Sequence, residues 1–442
     1  MGPVRRGKKL YIDVDHVDGD LCGVAVVEGV EVLVPGVGFG DRAKVRVMHL
    51  SPHKPVAWAS LIEVVDRGRE SFAKPACKHA APLAGKCGGC PGLHLDYRAQ
   101  LMAKQGALTK ALAGLGLDEG AEVPLHPSPR TEHYRNRTNL VVKELRSGVV
   151  RLGSRAPRTG HFARMDDCLV VRHPLARVAD RVAEALEKWE VPTRYVSLRA
   201  NGEGEVLVEL IMPHVSAARL PKLAEEALGW GPVIGVSASE NRSEGNAVRV
   251  EAPTLIAGEG TILERYGELA VPVSSDCFLQ LNTDVATEMY TQAAEWGRGA
   301  RKVVDLYCGV GGLGLSSLCG GAGEELVGIE VHAGAVALAT KAAEKAGLPA
   351  RFEVASLAAG RPAALEEADL VLVNPPRRGL DDAVIEALAA RAPERLIYMS
   401  CNPDSFARDA ARLIEGGLAL QAVEGWDMLP HTAHVELLAL FG

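Results

Sequence analysis

From residue 270 to its end the chain alternates short apolar runs with helix-forming stretches, and this alternation restricts the fold more than any other feature. Strand-like runs lie at 302–307, 325–330, 350–354, 369–373, 396–400, 418–424 and 434–441, with helical patterns at 333–346, 381–390 and 403–415. A strand that crosses over through a helix returns parallel to its neighbour, so this order predicts a doubly wound, mainly parallel sheet. The last two runs have no helix between them and are expected to pair antiparallel. Ligands of such sheets bind beyond the carboxyl ends of the strands. Here the run from Arg395 breaks into Ser400-Cys401-Asn402-Pro403, where a proline without an amide donor ends the strand. Cys401 at that edge is either a reactive thiol or an ordinary buried small residue.

Two other strand exits suggest a nucleotide-like cofactor. The first strand runs into Asp305-Leu-Tyr-Cys-Gly-Val-Gly-Gly-Leu-Gly314, whose glycines at 309, 311 and 314 let backbone approach a ligand. Glu330 ends the next strand, where a carboxylate can accept both hydroxyls of a ribose. This pattern alone also fits a nicotinamide dinucleotide. Asp305 at the strand end and Asn374-Pro-Pro-Arg-Arg-Gly379 after the fourth strand favour S-adenosylmethionine. Asn-Pro-Pro there suits a methyl transfer to a planar base.

With 442 residues, 47% hydrophobic and 24% charged, the chain has room for several soluble domains. No apolar run is long enough for a membrane span, and the N-terminal stretch lacks the apolar core of a signal peptide. A cytoplasmic monomer with no membrane contact is expected, so the nine cysteines do not imply a disulfide framework. Three domains are predicted: a small antiparallel β-barrel over 1–66, a mixed α/β domain over 67–269, and the doubly wound domain over 270–442. The barrel follows from alternating runs about ten residues apart at 10–14, 23–27, 30–34, 41–49 and 57–65. In the middle, helices are expected at 95–115, 174–189 and 217–228, and strands at 206–211 and 245–250.

Cys77, Cys87 and Cys90 form a compact loop, and Cys168 follows much later. Four thiolates suit a 4Fe–4S cluster or a structural zinc, and the Cys90-Pro91 step favours iron–sulfur. The net charge of −7 is uneven: residues 1–190 carry 29 Lys and Arg against 22 acids, the remainder 20 against 34. Arg130, Arg135, Arg137, Lys143, Arg146, Arg151, Arg155, Arg158 and Arg164 make a basic stretch that suits a polyanion held by one face, or a solvated loop face.

Taken in order, these motifs resemble the RNA uracil-5-methyltransferase family, which makes 5-methyluridine in 23S ribosomal RNA and in the tRNA T-loop. The resemblance covers nearly the whole chain. It implies an OB-like TRAM barrel at the N-terminus, a 4Fe–4S cluster on Cys77, Cys87, Cys90 and Cys168, and a Rossmann-like catalytic domain. It carries cofactor contacts onto Gln280, Tyr307, Gly312, Glu330 and Asn374, the nucleophile onto Cys401 and the base onto Glu436. The thiol is then expected to have a lowered pKa, and 23S ribosomal RNA is preferred over tRNA as substrate. The chain departs from the family pattern in places. Cys77 and Cys87 are further apart than is common, Gly312 replaces an asparagine, Asn374 replaces an aspartate, and Ser356 stands where an acid or amide is usual. Gln280 could instead cap the helix that follows, and His431 and His434 could be metal ligands or ordinary core histidines. Three rivals lie outside this reading. An amino-directed base methyltransferase has no use for Cys401, a nicotinamide oxidoreductase would transfer no tritium-labelled methyl group to RNA, and an RNA-binding iron–sulfur scaffold would be non-catalytic.

Overall fold

The computed structural model describes residues 4–72, 75–80, 86–116, 122–156, 160–215, 218–243, 247–360 and 362–442. Arg158 of the basic stretch and the start of the helix expected from 217 lie outside them. Near the N-terminus six strands between Lys9 and Asp66 form a curved half-barrel sheet. Lys9–Asp13 pairs with Arg42–Leu50 at one end of the sheet, while His16–Val17, a few residues later, pairs with Cys22–Val27 at the other. One extended segment therefore reaches both ends. Alternation explains the inward face: Ala43, Val45 and Val47 are fully buried, while Arg42 and Arg46 between and beside them are exposed. The pairing is antiparallel except between Val30–Pro35 and Val56–Asp66, which run parallel.

The middle of the chain builds a seven-stranded sheet, in order Phe162–Arg164, Val150–Arg155, Arg137–Glu144, Tyr195–Ala200, Val206–Met212, Val233–Glu240 and Thr254–Gly258. The helix His173–Trp189 packs against it because Leu175, Val178, Ala179, Val182, Ala185 and Leu186 recur at helical spacing and are all buried. Pro174 opens that helix, and Glu190 ends it in the left-handed conformation. A strand expected over 245–250 is not found in the described part of that segment; the sheet is extended by Val233–Glu240 and Thr254–Gly258 instead.

The third sheet has eight strands, in order Ala350–Val354, Glu325–Glu330, Lys302–Leu306, Leu370–Val373, Arg395–Ser400, Glu436–Phe441, Leu420–Trp426 and Leu125–His126. The first five are parallel, and Glu436–Phe441 runs antiparallel between its two neighbours. Leu370–Val373 is buried throughout, as a parallel strand covered on both faces must be. The eighth strand comes from far upstream, and with it comes the helix Tyr97–Ala111, whose Leu108 joins Leu112 and Val123 in the core beneath Val384, Leu388 and Phe406. Residues 97–116 and 122–126 thus pack on this sheet although they precede the middle sheet in sequence. Because Glu436–Phe441 is antiparallel, its start lies beside the exit of Arg395–Ser400: Leu437 pairs with Ser400, leaving Glu436 level with Cys401.

Candidate active site

The glycine loop follows Lys302–Leu306. Tyr307 adopts φ +61° and Gly311 φ +82°, so the chain turns sharply before the helix Gly312–Cys319 begins. Tyr307 is held there by its hydroxyl, which donates to the Asp381 carboxylate at 3.0 Å and accepts from the Asp381 amide at 3.2 Å. Asp305 is buried beneath the loop. Its Oδ2 accepts the Gly314 amide at 3.0 Å, its Oδ1 has no protein partner, and burial pushes its carboxyl up to about 8. A Cβ at residue 314 would stand 2.7 Å from that same Oδ2, so the third glycine makes room for an acid of the chain itself. At Gly312 a Cβ would come within 3.3 to 3.4 Å of the Tyr290 and Tyr266 rings, which fill the space a larger residue would use.

Glu330 lies across the same strand ends. One carboxylate oxygen accepts the Gly309 amide at 3.1 Å and the other the His332 amide at 2.9 Å. Asn374 follows Leu370–Val373, with its amide directed to the Leu306 carbonyl. Gln280 is buried, and its carbonyl accepts the Asn136 side chain at 2.8 Å. The cap of the helix Thr283–Gly297 is Asn282, not Gln280. Ser356 is exposed at the start of a short 3-10 turn.

Cys401 is half-buried between the strand and the helix Pro403–Glu415, whose cap is Asn402. The Asn402 side chain also donates to the Arg377 carbonyl at 3.0 Å, tying the Cys401 turn to the Asn-Pro-Pro loop. Glu436 is buried with one carboxylate oxygen unpartnered, and burial pushes its carboxyl up to about 8 against the pull of Arg377. The sequence-based expectation of a lowered thiol pKa is corrected here. Burial and the nearby Glu436 charge push the Cys401 thiol up, opposed by Arg377. Arg377, which the sequence presents only as part of the Asn374–Gly379 motif, is the cation beside thiol and carboxyl, and its guanidinium also reaches His434 Nε2 at 3.4 Å. The two histidines do not act as a pair: His431 Nδ1 faces Gln100 at 3.2 Å, while His434 faces Arg377.

Away from this edge, Cys77, Cys87, Cys90 and Cys168 line one small pocket together with His79, Leu93 and Met165. Asp166 draws the loop in through an ion pair with Lys78 at 3.1 Å, and its other carboxylate oxygen stands 3.1 Å from the His79 ring. Burial first, then the charges of Cys168, Cys87 and Cys77, push the Cys90 thiol up to about 12. No three side chains among the described residues stand at the spacing of ligands around one ion. Of the remaining cysteines, Cys308 is buried and Cys319 is exposed.

The C-terminal part of the chain matches two family models, "Methyltransferase small domain" over residues 268–398 and "tRNA (Uracil-5-)-methyltransferase" over residues 364–441. An RNA methyltransferase of Thermosynechococcus vestitus is 32% identical over 99% of this chain and 98% of its own length. One from Geobacter sulfurreducens is 31% identical over 99% of this chain and 90% of its own. Among solved structures, the tRNA (uracil-54, C5)-methyltransferase of Pyrococcus abyssi, in complex with S-adenosyl-L-homocysteine, superposes with a TM-score of 0.80 at 25% identity, covering 98% of this chain and 99% of its own. Strand order, glycine loop and full-length kinship agree: the chain belongs to the RNA uracil-5-methyltransferase family and is an S-adenosylmethionine-dependent enzyme.

Proposed function

We propose that the protein methylates carbon 5 of a uridine through a temporary bond between Cys401 and the base. The observation that carries this reading is the level position of Cys401 and Glu436 on adjoining strand ends, with Arg377 beside both. Carbon 5 of uracil is too weak a nucleophile to be alkylated directly. The Cys401 thiolate adds to carbon 6, and the ring electrons collect as an enolate. Carbon 5 then takes the methyl group, the new carbon–carbon bond replacing the sulfonium–methyl bond. Glu436 accepts the proton from carbon 5, and the returning electron pair expels the Cys401 sulfur. Arg377 offsets part of the cost of a buried thiolate and carboxylate.

S-adenosylmethionine supplies the electrophilic methyl group. Tyr307, Gly312, Glu330, Asn374 and Gln280 are assigned to hold it, and the unpartnered buried Asp305 oxygen is an acceptor that a cationic ligand at the loop would satisfy. The target base must leave its stack to reach a half-buried thiol. The N-terminal half-barrel is assigned as a TRAM-type RNA-binding module, residues 67–269 as the cysteine-bearing RNA-holding domain, and 270–442 as the catalytic domain. Of the possible substrates, 23S ribosomal RNA is preferred because Asn374-Pro-Pro-Arg-Arg-Gly379 and the cysteine set accompany that branch. The similarity to the Pyrococcus abyssi tRNA enzyme favours a second reading, the T-loop uridine. Mapping 5-methyluridine in both RNAs from a strain lacking the protein decides between them. Loss from 23S ribosomal RNA alone is the expected result, and loss from tRNA alone selects the second.

Cys77, Cys87, Cys90 and Cys168 are assigned to a 4Fe–4S cluster, supported by their shared pocket and by the crowding of thiols whose ionised forms need a cation to coexist. Its role is structural: it pins Cys77, Cys87 and Cys90 to the segment that carries Cys168. Purified protein is expected to hold about four irons per chain, as one such cluster requires. Chelation of the metal should lower its thermal stability, whereas stoichiometric zinc without iron selects a zinc site instead.

A further inference from the structure

The eight residues from Asp427 to His434, separated from the base strand by Val435 alone, are held in place mainly by side chains more than 290 positions upstream. Lys104, on the helix Tyr97–Ala111, is fully buried and spends all three ammonium donors on this loop. It reaches Asp427 Oδ1 at 2.6 Å, the Leu429 carbonyl at 3.3 Å and the His434 carbonyl at 3.1 Å. One turn earlier, Gln100 accepts the His431 amide at 2.9 Å and meets its ring at 3.2 Å. The Gly92 amide donates to the His431 carbonyl at 3.0 Å, and the Tyr134 hydroxyl to the Pro430 carbonyl at 3.0 Å. His431 itself has φ +67°, a conformation that a non-glycine residue holds only when its surroundings enforce it. The loop is thus strained, clamped at both ends, and followed two residues later by Glu436.

We propose that Lys104, assisted by Gln100, is a positioning residue for the base: by gripping both ends of the Asp427–His434 loop it sets the Glu436 carboxyl level with Cys401. Stability alone gives little reason for such a pair. A buried ion pair costs desolvation that an apolar pair of similar volume avoids, so its presence beside a catalytic loop points to geometry. The inference rests on the covalent reading above, because that reading separates a step that does not need Glu436, bond formation at Cys401, from one that does, removal of the carbon 5 proton.

Lys104→Met is therefore expected to lower turnover on the order of 100-fold, as a misplacement near 1 Å can, while still bonding to RNA. Incubated with S-adenosylmethionine and unmodified RNA, it should accumulate a denaturant-stable protein–RNA complex, as Glu436→Gln should. The double variant Lys104→Met/Asp427→Leu removes the unpaired buried charge. It is expected to recover the melting temperature without recovering turnover. Wild-type turnover in Lys104→Met, loss of bonding together with turnover, or recovery of turnover in the double variant would each overturn the proposal. If Glu436→Gln itself accumulates no complex, the covalent reading fails and takes this inference with it.

Discussion

Cys401→Ser is expected to lose methyl transfer by on the order of 10⁴-fold or more, the scale seen when a nucleophile is removed from a site whose groups act together. The reason is acidity and polarisability. A serine hydroxyl cannot reach the alkoxide state in a half-buried site where even the thiol is pushed up by burial and by Glu436. The substitution replaces sulfur by oxygen at the end of a strand whose following helix is capped by Asn402, so the fold should be little disturbed. Affinity for S-adenosylhomocysteine and the melting temperature should stay near wild type. Tritium transfer from labelled S-adenosylmethionine to RNA measures the rate. A serine variant within tenfold of wild type would mean that carbon 5 is activated without the sulfur.

Glu436→Gln is expected to separate activity from stability. Turnover should fall about 10²- to 10⁴-fold, the range for a lost general base, with the enzyme held as its RNA complex. Stability should move the other way. The folded-state carboxyl is raised to about 8 by burial, above its unfolded value. Below the unfolded value both states are protonated and nothing is lost. Between there and about pH 8 the unfolded chain ionises first, so folding stability declines as pH rises, by about 5 kcal/mol in full. Glutamine removes that decline. The variant should melt higher than wild type by a margin that widens from pH 6 to about pH 8 and then levels off. The same shift gives the wild-type rate its pH dependence: base and nucleophile both act deprotonated and both are raised, so turnover should climb through about pH 8.

Much of this arrangement is legible in the sequence because its signals are local. The helix pattern at 333–346 became Ala333–Ala346 residue for residue, and 403–415 became Pro403–Glu415, each bounded by a capping side chain at one end and a glycine at the other. Antiparallel pairing of the last strands was foreseeable from the missing helix between them. What the sequence hid depends on distant partners. Leu125–His126 is too short to carry any periodicity and is a strand only because Leu420–Trp426 offers it an open edge. The hairpin Thr261–Tyr266 and Leu269–Ser274, two strands joined by a tight turn, went unread among less regular neighbours. Lys104 reads as one polar residue on a helix, and nothing local says it will be buried against Asp427. The thiol's lowered acidity belongs to the same class. A motif names the cysteine, but burial and the charge across the strand ends set its proton affinity.

The direct test is to capture the sulfur–carbon bond itself. RNA carrying 5-fluorouridine at the target site has no carbon 5 proton to surrender, so the reaction should halt after methyl transfer with base and enzyme joined. Mass spectrometry of the digested complex is predicted to find the methylated fluoropyrimidine on the peptide containing Cys401, and to find none with Cys401→Ala. Methylated product released with no attached peptide, or attachment at another residue, would contradict the account.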